Sequence, residues 1–297
     1  FGFSATSLLP TTALVTRWFH RHRSLAVAIS MTGLSVGGMF LTPLSAWLIA
    51  TLKLQQATTW LGLMYLIGVI PLTLIWVRAD PNTLGLQADG TTQQSLDNKP
   101  KQNVSFTFQQ ALHTRYFIGV TAAYSFILMS QVGAIAHIFK LVDERADAVL
   151  AAGAISLLAG CSMVARLFGG WLVTVFQQRH YTAVLMLFQA GALAFLAFAE
   201  QRIYLILGVV LFGIGIGNIL MLMPLLLAEA FGIRHFSRIY SVSQFIVTFG
   251  IASGPLLIGI VRDISQDYQA AFMVAADSSI LACLLLLLAG RLPALKS

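Results

Sequence analysis

Apolar runs of roughly membrane-spanning length follow one another along most of the chain, separated by short polar connections. Seven of these runs contain no Asp, Glu, Lys or Arg, and two more contain a single charged residue each. A transmembrane helix needs roughly 20 mostly apolar residues. The pattern therefore predicts nine spanning helices, at 1–16, 24–52, 60–77, 116–139, 148–176, 182–199, 204–227, 239–261 and 270–290.

One long polar connection, residues 78–115, interrupts this series. It contains Pro81, Gly85 and Pro100 and a stretch rich in Gln, Asn and Lys, which is typical of a flexible linker. Residues 109–115 are expected to form an amphipathic lead-in to the next helix.

The composition supports a membrane protein and excludes other classes. Hydrophobic residues make up 58% of the chain, charged residues only 10%, and the mean hydropathy is +0.82. A soluble domain carries about 25% charged residues, so a soluble enzyme is excluded. Because there is no basic cluster with interleaved aromatic residues, nucleic acid is not an expected partner. The partner that this composition implies is the lipid bilayer.

Residues that could carry catalysis or hold a metal are not grouped in recognisable patterns. Cys161 and Cys283 both lie in apolar runs, without neighbours at metal-ligand spacing, so we expect no disulfide framework and no zinc site. Phosphate-binding loops and serine-triad or zinc-protease patterns are absent from the sequence. We therefore predict no enzyme and no bound cofactor or metal.

Basic residues are distributed unevenly between the two alternating sets of connections. One set, which includes 78–115 and the C-terminal tail, carries 12 Lys or Arg, whereas the other carries five. Cytoplasmic loops of membrane proteins carry the excess of positive charge. This asymmetry predicts a cytoplasmic C-terminus in a protein of the cell (inner or plasma) membrane.

A weak internal repeat suggests two similar halves. At an offset of 213, Arg21, His22, Ser24 and Gly37 recur as Arg234, His235, Ser237 and Gly250. The offset joins predicted helices six positions apart, as two six-helix halves would require. Because the chain also begins without Met inside an apolar run, we expect three earlier helices to be missing.

Several segments resemble the major facilitator superfamily, in particular its monocarboxylate-porter and oxalate/formate-antiporter branch and the bacterial members. RWFHRHRSLAVAISMTGLSVGGMFLTPL (17–44) is similar to the helix 4–5 region of that superfamily, and 79–90 to the segment after helix 6. Residues 228–241 and 254–272 are similar to the helix 10–11 and 11–12 connections. The loop motif expected after helix 8, at 170–174, lacks its acidic residue.

This resemblance implies an all-α, polytopic helical bundle with nine of twelve transmembrane helices, numbers 4–12. It implies three parts: residues 1–77 as the rest of the N-terminal half, 78–115 as a cytoplasmic linker, and 116–297 as the C-terminal half. It also implies a monomeric secondary transporter that works by alternating access.

Arg166 is the residue most indicative of function, because it lies near the middle of a predicted span. A buried guanidinium normally faces a cavity or a partner, and its planar fork suits a carboxylate. In the resembling monocarboxylate transporters an Asp lies one turn before this Arg, but Ser162 takes that position here. The helix-11 Lys of the oxalate antiporter has no counterpart in 239–261. A monoanion is thus favoured over a dianion.

Other polar residues within spans are further candidates for a substrate site. They are Tyr124, Gln131, Asn218 and Gln244, to which Ser162 is added. Tyr124 and Gln131 are seven residues apart and share a helix face. Each of these residues could equally form a hydrogen bond between helices.

Three functions remain open from the sequence. The first is secondary active transport of a small organic anion, a mono- or dicarboxylate, with proton coupling undecided. The second is a proton-coupled exporter of drugs or metabolites, in which Arg166 has a structural or gating role. The third is a membrane receptor that does not transport.

Overall fold

The computed structural model describes residues 8–19, 23–78, 106–232, 235–290 and 292. Within these ranges the secondary structure is entirely helical. The helices are α1 (Leu8–Trp18), α2 (Arg23–Trp76), α3 (Phe108–Leu112), α4 (Arg115–Arg145), α5 (Ala148–Val175), α6 (Gln178–Phe198), α7 (Arg202–Phe231), α8 (Phe236–Ser265) and α9 (Tyr268–Leu288). The all-α prediction is confirmed.

Each predicted span corresponds to one of these helices, except that the spans at 24–52 and 60–77 share α2; the short α3 matches no predicted span. In the described residues, seven segments are long and apolar enough to cross a membrane. The chain is therefore a multi-pass membrane protein. The described residues do not include 79–105, the central part of the predicted linker. They also do not include Arg21, His22 and Arg234 of the internal repeat, or most of the C-terminal tail.

The second and third spans are joined differently from the prediction. Residues 51–59 were expected to be a polar connection, but the backbone there is helical except at Lys53, where φ is 65° and ψ is 160°. A positive φ is costly for a residue with a side chain, and Lys53 is the only residue of 51–59 that adopts one. The break between the two spans is therefore confined to this residue. The expectation of a loop at 51–59 was wrong, because Thr51 to Thr59 contain no Gly or Pro to stop a helix.

The starts of α4 and α5 are fixed by side-chain caps. Thr114 Oγ1 accepts a hydrogen bond from Phe117 N at 3.1 Å, and Asp147 Oδ1 accepts one from Leu150 N at 2.8 Å. These caps satisfy backbone N–H groups that have no partner within the helix. The predicted lead-in is confirmed as α3, which begins with a capping box at Thr107.

Glycines bring α8 close to α4. A Cβ atom on Gly254 would overlap with the carbonyl oxygen of Met129 and lie 3.0 Å from Gly133 N, and one on Gly250 would overlap with Ser125. Small residues at these positions let two helix backbones approach closely. By contrast, a Cβ on Gly33 would meet no atom within 4 Å in the described part of the chain.

Arginines at the helix ends tie neighbouring helices together. Arg145, at the end of α4, donates to the carbonyl oxygens of Leu196 and Ala199 at 2.9 Å each. Arg179, at the start of α6, donates to three carbonyl groups at the C-terminal end of α9. A cation is favourable at a helix C-terminus, where the last carbonyl groups have no partner in the helix.

A buried polar junction joins α4, α6 and α9. Ser130 Oγ lies 2.8 Å from Ser279 Oγ and donates to the carbonyl oxygen of Ala275 at 2.7 Å. Gln189 Nε2 donates to Ser279 Oγ at 3.3 Å. All three polar side chains are buried. Together with the arginine caps, they tie these three helices to one another.

Replacing Gly254 by Ala is expected to destabilise the protein by about 1–3 kcal/mol, because the added methyl group would overlap with backbone that cannot rotate away. The matched control is Gly153→Ala, on α5, where a Cβ would meet no atom within 4 Å. Thermal unfolding in detergent measures both variants. Equal melting temperatures for the two would show that α4 and α8 are less closely packed than described.

Candidate functional site

Arg166 lies inside α5, nine residues before the helix ends at Val175. At 1.5 Å per residue this places it about 14 Å from that end. Its side chain is only 4% exposed. The guanidinium Nε donates to the carbonyl oxygen of Gly217 on α7 at 2.8 Å, and Nη1 donates to that of Met31 on α2 at 2.6 Å. One buried cation therefore links three helices.

A second hydrogen bond runs the opposite way between α5 and α7. Asn218 Nδ2 donates to the carbonyl oxygen of Ala165 at 3.0 Å. Thus Arg166 binds the residue before Asn218, and Asn218 binds the residue before Arg166. The two bonds are reciprocal and join the same two helical turns.

Glycines on α7 allow this close approach. A Cβ on Gly217 would overlap with the carbonyl oxygen of Ser162, and one on Gly213 would lie 2.9 Å from Cys161 Cβ. The Gly213/Gly217 pair thus lets the backbones of α5 and α7 pack closely. Because α7 has no side chains at these positions, its backbone carbonyl comes within reach of the Arg166 guanidinium.

The contact between α2 and α5 is also close. A Cβ on Gly170 would lie only 2.7 Å from Ala28 Cβ, on the turn of α2 that precedes Met31. Residues 170–174, where the resemblance placed the loop motif after helix 8, lie within α5, in agreement with the predicted span at 148–176. Gly170 forms part of the packing surface beside Arg166.

Ser162 and Asn218 are both close to Arg166. Ser162 is 4% exposed, and its Oγ donates to the carbonyl oxygen of Ala159 at 2.9 Å. Asn218 is 3% exposed, and its Oδ1 accepts no conventional hydrogen bond from the described residues. That oxygen instead lies against Gly169, where the Cα–H group can form a weak hydrogen bond worth about 0.5–1 kcal/mol.

The remaining candidates lie on other helices. Tyr124 on α4 is fully buried in the hydrophobic core. Gln131, seven residues further along the same face of α4, is 7% exposed. Gln244 is half-buried on α8. The two hydrogen bonds described for Arg166 run to α2 and α7, whereas these three residues are on α4 and α8. A role for them in binding substrate therefore stays a prediction.

A groove of about 680 Å³ runs along the outer side of this contact, between α5 and α6 and over α7. Its walls are almost entirely apolar and include Cys161, Val164, Phe168 and Phe188. Of the candidate site residues named from the sequence, Asn218 is the one that lines this groove. Both cysteines are free, Cys283 being buried and Cys161 half-buried. An apolar groove of this kind is not suited to a carboxylate.

Sequence reasoning missed the residues that act through their backbone. Met31 contributes a carbonyl oxygen, and no sequence pattern marks a residue for that role. Gly169 and Gly170 follow Arg166 closely, and a pair of glycines in a span beside a charge indicates close helix contacts. That pair could have indicated a close helix contact beside Arg166, but not which helices form it.

The fold and the Arg166 contact define a polytopic α-helical membrane protein with a buried cation at the meeting point of its helices. A family model described as the Major Facilitator Superfamily matches residues 1–202. This match covers more than half of the chain, and the chain belongs to the Major Facilitator Superfamily.

Curated relatives are similar at low identity. Monocarboxylate transporter 13 of Rattus norvegicus is 26% identical over 274 residues, which cover 91% of this chain and 60% of the relative. Monocarboxylate transporter 12 of Mus musculus is 24% identical over 305 residues, covering 93% and 62%. The chain thus spans about 60% of the length of the curated relatives it matches.

The fold is also similar to that of a solved transporter. The crystal structure of the E. coli fucose:proton symporter superposes with a TM-score of 0.68 at 14% identity, covering 95% of this chain and 72% of that one. At this identity the likeness concerns the fold alone. The predicted superfamily is confirmed, and each relative is named as a transporter, in agreement with the prediction that this protein is not an enzyme. A bacterial origin stays a prediction.

Proposed function

We propose that this protein is a secondary active transporter of a small organic anion, favouring a monocarboxylate, and that Arg166 binds the carboxylate. The observation that carries the proposal is the buried guanidinium, held 2.8 Å and 2.6 Å from two main-chain carbonyl oxygens. Transport is the function of the named relatives, and alternating access around a central site is the usual mechanism of such folds.

Binding a carboxylate would change the partners of Arg166. A bidentate carboxylate uses two neighbouring nitrogens of the guanidinium, either Nε with Nη2 or Nη1 with Nη2. Nε is committed to Gly217 and Nη1 to Met31. Either mode of binding thus competes with one of these helices. Both of these carbonyl acceptors are neutral, and a carboxylate is the stronger acceptor because the bond becomes ionic on both sides.

The helices α7 and α2 differ in the contacts with α5 that would remain if their hydrogen bond to Arg166 were broken. Gly217 belongs to α7, which is also joined to α5 by Asn218 and by the glycine contacts. Met31 belongs to α2, which also packs extensively on α5, with Ala28 against Gly170 one turn before Met31. We propose that the carboxylate displaces Met31, so that substrate binding weakens the contact between α2 and α5 and allows the transporter to change conformation.

The finer architecture is part of the same proposal. Residues 1–77 and 116–297 would belong to two halves that rock about the Arg166 contact, and 78–115 would link them on the cytoplasmic side. The positive charge of that set of connections supports a cytoplasmic C-terminus in the cell (inner or plasma) membrane. We expect a monomer. The Ser162 hydroxyl cannot take up and release a proton as the carboxyl group of an Asp can, so proton coupling would need another titratable residue.

An exporter of drugs or metabolites is the second candidate. The carbonyl contacts of Arg166 favour it in one respect, because they would give the guanidinium a structural role without any substrate. The apolar groove would suit a lipophilic compound. The variants described next separate the two candidates.

Arg166→Gln should abolish uptake of labelled lactate or pyruvate into proteoliposomes, whereas Arg166→Lys should keep the charge but lose the bidentate geometry and remain strongly impaired. Substrate-dependent thermal stabilisation should disappear in parallel, because a ligand that binds the folded state raises its stability. The Gln variant must first be shown to insert and fold. Normal lactate uptake by a folded Gln variant would favour the exporter.

A disulfide between α2 and α5 should stop transport if their contact has to open. Ala28→Cys combined with Gly170→Cys, with both native cysteines changed to Ser, places two thiols near bonding range after a small adjustment. Oxidation should block uptake, reduction should restore it, and each single variant should be insensitive to the oxidant. Unchanged uptake by the cross-linked protein would show that this contact stays closed during transport.

Orientation is checked by cysteine labelling in intact cells. Cysteines at Gln56 and Gln266, both exposed at predicted outer connections, should react with an impermeant maleimide added outside. A cysteine at the exposed Gln177 should react only after the membrane is permeabilised. Labelling of position 177 in sealed cells would reverse the proposed topology.

A further inference from the structure

We propose that Asn218 is a positioning residue for Arg166. Its side chain packs into the space left by the missing side chain of Gly169, and this contact, called the key below, fixes the position of α7 along the axis of α5. This proposal rests on the proposed function, in which the guanidinium must be aimed at a carboxylate. It gives Asn218 a role different from the direct contact with substrate that its position in the sequence suggests.

The side chain of Asn218 spans one turn of α5. Its Nδ2 donates to the carbonyl oxygen of Ala165 at 3.0 Å, at one end of the turn. At the other end, a Cβ on Gly169 would overlap with Oδ1 and Cγ of Asn218 and lie 2.7 Å from Nδ2. The three atoms nearest to that position all belong to Asn218. Gly169 is therefore the socket into which this side chain fits.

The key acts on the same turn that carries Arg166. Arg166 lies between Ala165 and Gly169, and its Nε donates to Gly217, the residue before Asn218. A slip of α7 by a single residue, about 1.5 Å, would break both reciprocal bonds at once. It would also move Oδ1 away from the one position on this turn where there is room for it.

Asn218 acts from the side of Arg166 that faces away from α2. It lies at the floor of the apolar groove, with Phe168 and Phe188 among its neighbours in that wall. The Arg166 Nη1 group points instead to Met31 on α2, where the proposed exchange with substrate takes place. Asn218 therefore acts through Arg166. It keeps the guanidinium Nε bonded to α7 while Nη1 exchanges Met31 for the substrate.

A double-variant experiment tests the key directly. Gly169→Ala should raise the apparent KM for lactate in proteoliposomes by about tenfold or more, since misplacing a binding group by about 1 Å is costly. Asn218→Ala should raise the KM more moderately, with little change in the melting temperature of the substrate-free protein. Gly169→Ala combined with Asn218→Ala should behave like Asn218→Ala alone, within about twofold, because the atoms that the methyl group would meet are gone.

Two further glycines provide matched controls. Gly160→Ala, on the same helix, should leave the KM unchanged, because a Cβ there would meet no atom within 4 Å. Gly217→Ala should be damaging, and Asn218→Ala should not rescue it, because that methyl group would overlap with the backbone carbonyl of Ser162. Rescue must therefore be specific to Gly169.

Several outcomes would overturn the proposal. One is Gly169→Ala behaving like Gly160→Ala; another is Asn218→Ala leaving the KM unchanged. If Gly169→Ala fails to assemble, Asn218→Ala should restore assembly, and no restoration would count against the key. Failure of the proposed function is recognised separately, by normal lactate uptake in a folded Arg166→Gln variant, and the positioning role then falls even where the steric rescue holds.

Discussion

The contact that most of the site depends on is the donation of a buried guanidinium to carbonyl groups of two other helices. In the interior of a membrane protein a cation costs at least a few kcal/mol unless it has partners. Arg166 meets this cost with the carbonyls of Gly217 and Met31, and it thereby makes the relative position of α2, α5 and α7 depend on one side chain. A hydrogen bond to a charged group contributes about 1.5–3 kcal/mol, enough to bias a choice between conformations.

Glycine is what makes this contact possible. Helix carbonyls are normally shielded by their own side chains, and a guanidinium can reach them only where neighbouring helices are very close. Gly217 removes the shield on α7, and Gly170 lets α2 pack against α5 beside Met31. The same feature fixes α8 on α4 through Gly254. Lipid tails are as apolar as the helix surfaces, so close packing and hydrogen bonds, more than burial of apolar area, hold such helices together.

Much of the fold could be predicted from the sequence, because membrane-spanning helices are specified locally by length and apolarity. A break between the second and third spans was predicted, but its restriction to Lys53 could not be, since no Gly or Pro marks that residue. For the candidate site, the charge of Arg166 identified the turn of α5 that is hydrogen-bonded to α2 and α7. The partners did not follow, because a carbonyl acceptor such as that of Met31 has no residue-type signature. Asn218 was recognised as polar and intramembrane, but its contact with Gly169 depends on helix register, which a single sequence does not encode visibly.

The two sides of Arg166 are not equivalent, and this asymmetry suits a transporter. Toward α7 the guanidinium is backed by a second hydrogen bond, from Asn218, and by glycine packing over more than one turn. Toward α2 it has the Met31 carbonyl and the neighbouring contact of Ala28 with Gly170. A ligand shifts a conformational equilibrium only by its differential affinity for the two states. In the proposed exchange, a carboxylate that replaced Met31 would have such a difference, because the bond removed would be one that joins α2 to α5 and the bond formed would be stronger. The contacts to α7 would then keep the cation in place while its α2 side exchanged, so that one arginine could both bind an anion and transmit that binding to a neighbouring helix.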